Sequence, residues 1–331
     1  MFKFQQKENI QWCKLGPRAM FGKFMLDIAK NEKKLIVITA DLGRSSGLDR
    51  FKKEFPNQYL SVGISEQNMI GVAAGLAREG FKVFVTSFAP FLSMRASEQV
   101  RMNLGYMKHN VNLVALGSGV GMGYLGNSHF GLEDLAIIRA IPNLKISAPA
   151  DTAELGKILY DYTFNTEGPS YIRLTGIPGC EHVYDKDYNY KFGKNEKIIE
   201  GKNILIISSG SVTGQAKIAV NNLKKQNIDV GLINCPTIKP FNENIIKEIN
   251  NYKYLVILEE HSIIGGLNSI ISELLVKHSI TKKILPITLP DKFGPSGDYN
   301  FLIDYHGLSN RKIEIKIKNF LSENETIQQP L

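Results

Sequence analysis

Cysteine is scarce in this 331-residue chain. Cys13, Cys180 and Cys235 are too few for a disulfide framework and lack the spacing of a metal-binding motif. No apolar run approaches the roughly 20 residues that a membrane span needs. The opening MFKFQQKENIQW has no apolar core of a signal peptide. No basic block is interleaved with aromatics, so the net charge of +8 does not argue for nucleic acid. Its lysines are scattered over helix faces and the 186–202 stretch and read mainly as solvation; attraction of anionic substrates is the secondary reading. These absences predict a reduced, cytoplasmic protein that engages neither membrane nor nucleic acid. The rest of the composition, 43% hydrophobic and 22% charged, is ordinary for a globular chain, and the length suits two domains.

Short β-branched runs alternate with helical patterns almost throughout. The strand candidates are LIVIT (35–39), FKVFVTS (81–87), VNLVAL (111–116), SYIRL (170–174), NILIIS (203–208), VGLIN (230–234), YLVILEE (254–260) and ILPITL (284–289). Most are continuously apolar, as strands covered on both faces of a parallel sheet are. Helices are expected over 91–104, 151–164, 213–226 and 266–277, the second opening on a capping-box-like Asp151 and Glu154. This is an α/β pattern with right-handed crossovers. Residues 176–203, rich in Gly, Tyr, Asp and Lys without a sustained period, interrupt it. The expected division is a first domain over 1–180, a linker over 181–197 and a second domain over 198–331. The tail RKIEIKIKNFL alternates like a strand, but its position after DYHGLSN favours a terminal helix.

Three stretches carry candidate chemistry. In SVGISEQNMIGVAAGLAREG (61–80), Glu66 falls between a β-like run, Tyr59 to Val62, and an apolar helix. An acid in a helix's first turn is commonly there for the macrodipole. Here, however, Gly71, Ala74, Gly75 and Ala77 give the helix a small-residue face, which predicts a close helix–helix contact that buries the acid. In TSFAPFLSMRASEQVRMNL (86–104), Phe88 and Phe91 read as core at a strand–helix junction, and Arg95, Glu98 and Arg101 as surface or dimer-facing groups. In the third stretch Gly121, Gly123 and Gly126 spell G-x-G-x-x-G, but NSHF follows and helical periodicity begins only near Leu132, which argues against dinucleotide binding. His129 follows those glycines. A loop histidine is usually inert, yet it can shuttle a proton at neutral pH.

ISEQNMIGVAAGLA resembles the acidic motif of the transketolase family of thiamine diphosphate enzymes, and the likeness extends over 15–325. The resemblance implies two consecutive domains, each a mostly parallel sheet flanked by helices: a pyrimidine-binding domain and a transketolase C-terminal domain. It implies that Glu66 bonds the aminopyrimidine N1′, that Phe91 and next Phe88 pack against that ring, that Asp41 joins the cofactor site, and that His129 assists at the oxyanion or in proton transfer. Ser45 and Arg18 fall where the family holds the acceptor's phosphate. The second domain, with EEHSIIGGL (259–267), mainly shapes the dimer; His261 reads as structural. The family holds the diphosphate and its cation, Mg2+ or Ca2+, through a GDG motif on a preceding domain. No GDG occurs here, and no metal site is expected on this chain. It therefore resembles the second half of a split enzyme, inactive alone, with an N-terminal partner subunit in an α2β2 assembly. Self-association is expected through the glycine-faced helix and the second domain.

The implied reaction is ketol transfer from a ketose donor to an aldose acceptor. The β subunit of a 2-oxo acid dehydrogenase is the alternative; a deoxyxylulose phosphate synthase, normally one longer chain, and a non-catalytic scaffold rank lower. Gly117 and Gly176 stand where phosphosugar enzymes of the family usually carry a His and an Arg, and Leu125 replaces an acid that reads a sugar hydroxyl. Losing these donors puts the usual phosphopentose acceptor in doubt. A modified, nucleotide-linked or unphosphorylated sugar fits equally, with the glycines expected to open space.

Overall fold

The computed structural model describes residues 2–175 and 179–326. Its strands are β1 (Leu35–Thr39), β2 (Tyr59–Ser61), β3 (Lys82–Phe88), β4 (Val111–Leu116), β5 (Lys145–Ser147), β6 (Ser170–Arg173), β7 (Glu196–Ile199), β8 (Ile204–Ser209), β9 (Val230–Asn234), β10 (Thr237–Lys239), β11 (Tyr254–Ser262) and β12 (Lys283–Leu289). They form two sheets, ordered β10-β5-β6-β4-β3-β1-β2 and β12-β11-β8-β9-β7. Every pairing is parallel except the edges β10–β5 and β7–β9. Seven of the eight apolar runs are strands buried along nearly their whole length, so no alternation is needed; the eighth, β12, is a partly exposed edge. The sequence pattern missed β5, β7 and β10. Each is three or four residues long, too short for a periodic signal, and exists through its pairing partner.

β10 lies after the second sheet's β9 in the chain yet completes the edge of the first sheet. The apolar core is correspondingly continuous: one buried cluster runs from Ile38, Val85 and Leu113 to Leu205, Ile257 and Leu267. A charged joint crosses the same boundary. Arg173, on β6, pairs with Asp134 at 3.0 Å and donates to the Glu260 carbonyl at 2.7 Å, while Tyr171 donates to Asp134 at 2.8 Å. Buried His261 accepts from the Leu135 amide through Nε2, which assigns its proton to Nδ1, facing the Ser262 carbonyl. Burial lowers its pKa to about 4, so it is a neutral spacer at this joint.

The Thr152–Phe164 helix starts at Asp151, whose carboxylate accepts from the Glu154 amide at 3.0 Å. The reciprocal half of the expected box does not close, because Glu154 instead accepts from the Ala150 amide, Tyr184, Tyr188 and Asn234. Residues 179–195, which contain no helix or strand, are pinned to the first domain by this buried node. The segment expected as a helix over 91–104 is two π-helical turns, Phe91–Arg95 and Val100–Tyr106, around Ser97–Gln99. Wide turns of this kind recur at functional sites. The tail is helical, Asn310–Thr326. No helix among the described residues is long and apolar enough to cross a membrane.

Candidate active site

The chain leaves β2, turns at Gly63 (φ +74) and is fastened by Ser65 Oγ donating to the Val62 carbonyl at 2.9 Å. Helix α1 (Gln6–Leu15), α2 (Pro17–Ala29) and α3 (Asp49–Glu54) precede this point, and α4 (Glu66–Arg78) begins on the acid itself. Glu66 is 2% exposed. Leaving a carboxylate unpaired at that depth would cost several kcal/mol, and both oxygens are met. Ser87, near the end of β3, donates to Oε1 at 3.0 Å, and Arg95 Nη1 donates to Oε2 at 2.9 Å. Arg95 is exposed, as expected of a surface group. The first π-helical turn also lays its guanidinium 3.9 Å above the Phe91 ring and onto Glu66, a contact the sequence did not suggest. Burial of the acid comes from β3 and this turn within one chain: Gly71 and Gly75 have nothing within 4 Å of where a Cβ would stand.

Phe88, Phe91 and His129 meet edge to face, with centroids 5.8, 5.6 and 5.2 Å apart for the pairs 88–91, 88–129 and 91–129. The structure thus gathers Glu66, Phe88, Phe91 and His129, from three separate segments, around one spot, and adds Arg95. His129 Nδ1 bonds Ser128 Oγ at 2.9 Å. Burial and then Arg95 lower the imidazole's pKa, so the ring is neutral at neutral pH.

The loop bearing His129 is held from the second domain. Glu260 Oε1 accepts from the Val120 amide at 2.8 Å, and its Oε2 from the Tyr299 hydroxyl at 2.7 Å. A Cβ at Gly119 would lie 2.2 Å from that carboxylate. A Cβ at Gly131 would lie 2.7 Å from the Ala89 methyl, so the loop's far end presses on the Phe88–Phe91 turn. Burial raises the Glu260 pKa to about 7. Glu260 was missed by sequence reasoning; its one signal was an acid pair, Glu259–Glu260, ending an apolar strand. Of the G-x-G-x-x-G glycines, Gly123 and Gly126 lie in a 3-10 stretch, Gly123–Ser128, and the next α-helix begins only at Asp134.

Arg18, in the first turn of α2, is half-buried, and burial lowers its pKa. Ser45 lies on the β1–α3 loop, which sits directly on α2: a Cβ at Gly47 would be 2.6 Å from the Arg18 carbonyl. The two are on touching segments, and Ser46, next to Ser45, lies 3.5 Å from Thr86, the neighbour of Ser87. Asp41 is exposed at φ +59 beside Tyr59, whose phenol is pushed up by burial and then by Asp41. No described contact draws Asp41 into the cluster. Gly117 does not open space as expected: a Cβ there would lie 2.4 Å from Met122 Cγ and Sδ, so methionine fills the volume. Leu125 is exposed, and Gly176 lies outside the described residues. Among the described residues no group of three or more His, Cys, Asp or Glu side chains is placed to hold a metal ion.

Residues 14–176 match the family model "Transketolase, pyrimidine binding domain", and residues 193–313 match "Transketolase, C-terminal domain". A Methanocaldococcus jannaschii protein bearing the name of a transketolase C-terminal section is 37% identical over 307 residues, covering 91% of this chain and 95% of that protein. One of the subunits of an apulose-4-phosphate transketolase from Actinobacillus succinogenes is 33% identical over 290 residues, covering 86% of this chain and 91% of that one. A solved structure described as "Split gene transketolase, inactive beta4 tetramer" superposes with a TM-score of 0.82 at 31% identity, covering 93% of this chain and 98% of the other.

Proposed function

The chain belongs to the transketolase family, and from that premise we propose that it is the C-terminal subunit of a thiamine diphosphate-dependent transketolase. It transfers a two-carbon ketol unit from a ketose donor to an aldose acceptor, in the cytoplasm, and only when assembled with a partner. Residues 1–180 serve as the pyrimidine-binding domain and 198–331 as the C-terminal domain, joined by 181–197.

The observation that carries this reading is Glu66. It is a buried acid with one oxygen on a serine and the other on a planar cation stacked over Phe91. A flat, proton-bearing nitrogen heterocycle makes the same demands as that guanidinium, a hydrogen bond to the acid and a ring face to lie on, so the residues fit the aminopyrimidine of thiamine diphosphate. When bound, the cofactor supplies the carbanion chemistry of C–C bond cleavage and formation. Glu66 holds the pyrimidine nitrogen, and Phe91 and Phe88 orient the ring and exclude water. His129, with Nδ1 engaged by Ser128, exchanges a proton through Nε2. Arg18 and Ser45 receive the acceptor, and Asp41 belongs to the cofactor side.

The diphosphate and its Mg2+ or Ca2+ fall to an N-terminal subunit carrying a GDG motif, in an α2β2 assembly. The uncovered small-residue face of α4 at Gly71 and Gly75 suits self-association. The name of the solved relative, an inactive tetramer, agrees with dependence on a partner. Glu66→Gln tests the reading: in the reconstituted complex it abolishes turnover while size-exclusion chromatography still shows assembly. Unchanged turnover refutes the role of Glu66, and a purified single chain that turns over substrate refutes the split.

A further inference from the structure

The loop that carries His129 is closed at its base by a two-way bridge. The Gly119 amide donates to the Gly131 carbonyl at 2.8 Å, and the Gly131 amide to the Gly119 carbonyl at 2.9 Å. Its tip is held by the second domain. Residues 290–298, which join β12 to the Tyr299–Tyr305 helix without helix or strand of their own, lie across it as a strap. The Gly297 amide donates to the Gly123 carbonyl at 3.3 Å. Asn127 clamps Gly294 at two points: its Nδ2 donates to the carbonyl at 2.9 Å, and its Oδ1 accepts from the amide at 3.3 Å. Two of the glycines that spell G-x-G-x-x-G make room for the strap. A Cβ at Gly123 would lie 2.8 Å from the Gly297 carbonyl oxygen, and one at Gly126, whose φ is +70, 3.3 Å from the Ser296 Cβ. The motif thus serves a close approach of two backbones within the chain.

We propose that this strap of the second domain sets the position of His129, with Asn127 as the positioning residue. The clamp is carried to the imidazole over two short steps. The His129 amide donates to the Gly126 carbonyl at 2.9 Å, and its Nδ1 bonds Ser128, the residue that follows Asn127. A tip fixed at Gly123 and Asn127 therefore holds the ring against Phe88 and Phe91, at centroid distances of 5.6 and 5.2 Å. Asn127 acts through Ser128 and His129 rather than on the substrate. The inference rests on the proton-exchange role given to His129 above, and it gives the second domain, expected mainly to shape the dimer, a part in the reaction.

NMR on the full chain with carbon-labelled histidine tests it, the His129 ring signal being identified by its loss in His129→Gln. Two aromatic rings beside the imidazole displace that signal, so it reports where the ring stands. In Asn127→Ala it should move most of the way to the position of an unstructured histidine. Asn127→Asp, which keeps the acceptor for the Gly294 amide and loses the donor, should move it less. In the reconstituted complex Asn127→Ala should lower kcat about fivefold or more and leave the donor KM within about twofold. The proposal is overturned if the signal in Asn127→Ala stays at the wild-type position, or if kcat holds while His129→Gln is impaired. A lower melting temperature with neither change marks a merely structural clamp and overturns it as well. Asn127 is exposed, so its removal should leave the fold intact; Gly126→Ala, which presses on Ser296, repeats the NMR test from the other side of the contact. If His129→Gln turns over like the wild type, the proton role of His129 fails instead, and the ring signal, read without partner or cofactor, still decides the positioning.

Discussion

Both oxygens of Glu66 accept a bond inside the chain, one from Ser87 and one from Arg95, so a ligand that reaches the acid either joins these bonds or replaces one. Arg95→Met therefore destabilises the free subunit. We expect a loss of about 1–2 kcal/mol in urea unfolding, below the range for fully buried pairs because the guanidinium is half solvated. Partner subunit plus thiamine diphosphate should shrink that loss; an unchanged loss means the bond to Arg95 persists in the assembly. The same substitution removes one of the two causes that lower the His129 pKa. Its imidazole should therefore titrate at higher pH by NMR, and an unmoved titration would show that the two groups do not sense each other. Glu66, Phe88, Phe91 and His129 were legible as a group because each sits in a short contiguous motif. Arg95 and Glu260 were not. The partner of Arg95 depends on a π-helical turn that helical periodicity cannot anticipate, and Glu260 reaches Val120 across 140 residues of sequence.

Among the elements, the glycine loop between β4 and the Asp134–Ala140 helix is tied to the second domain at Val120 by a carboxylate from β11. Burial lifts Glu260 from an ordinary 4.5 to about 7, so between those values the folded chain binds more protons than the unfolded one. Stability from this group accordingly falls as pH rises through that window and is flat above it. Glu260→Gln removes the dependence: from pH 5 to 7.5 the wild type should lose more of its urea midpoint than the variant, and equal losses would refute the assignment. The long strands were readable from continuous apolar runs, and the terminal helix from its position. What escaped were elements whose existence depends on a distant neighbour, β5, β7 and β10, together with the reciprocal arm of the Asp151 cap, which Ala150, Tyr184, Tyr188 and Asn234 draw away.

For the whole molecule, the shared apolar core and the Arg173–Asp134 joint make the two sheets one mechanical body. Calorimetry of the free subunit should show a single cooperative transition. Arg173→Met, which takes the cation from a fully buried Asp134 and leaves it the Tyr171 hydrogen bond, should cost about 3 kcal/mol and lower that transition as a unit. Two separate transitions in the wild type would contradict the coupling. Two α/β halves were evident from the order of apolar runs, but their interlocking was not, because nothing local in Thr237–Lys239 marks it as the edge of the first sheet. That small strand governs how the gene can be dissected. A fragment ending in the irregular stretch before β7 would keep β5 but lose its cover, exposing a bare row of amides and carbonyls for a neighbouring copy to join. Such a truncation would be recovered as aggregate, and a fragment meant to stand alone would have to carry residues through Lys239 with it.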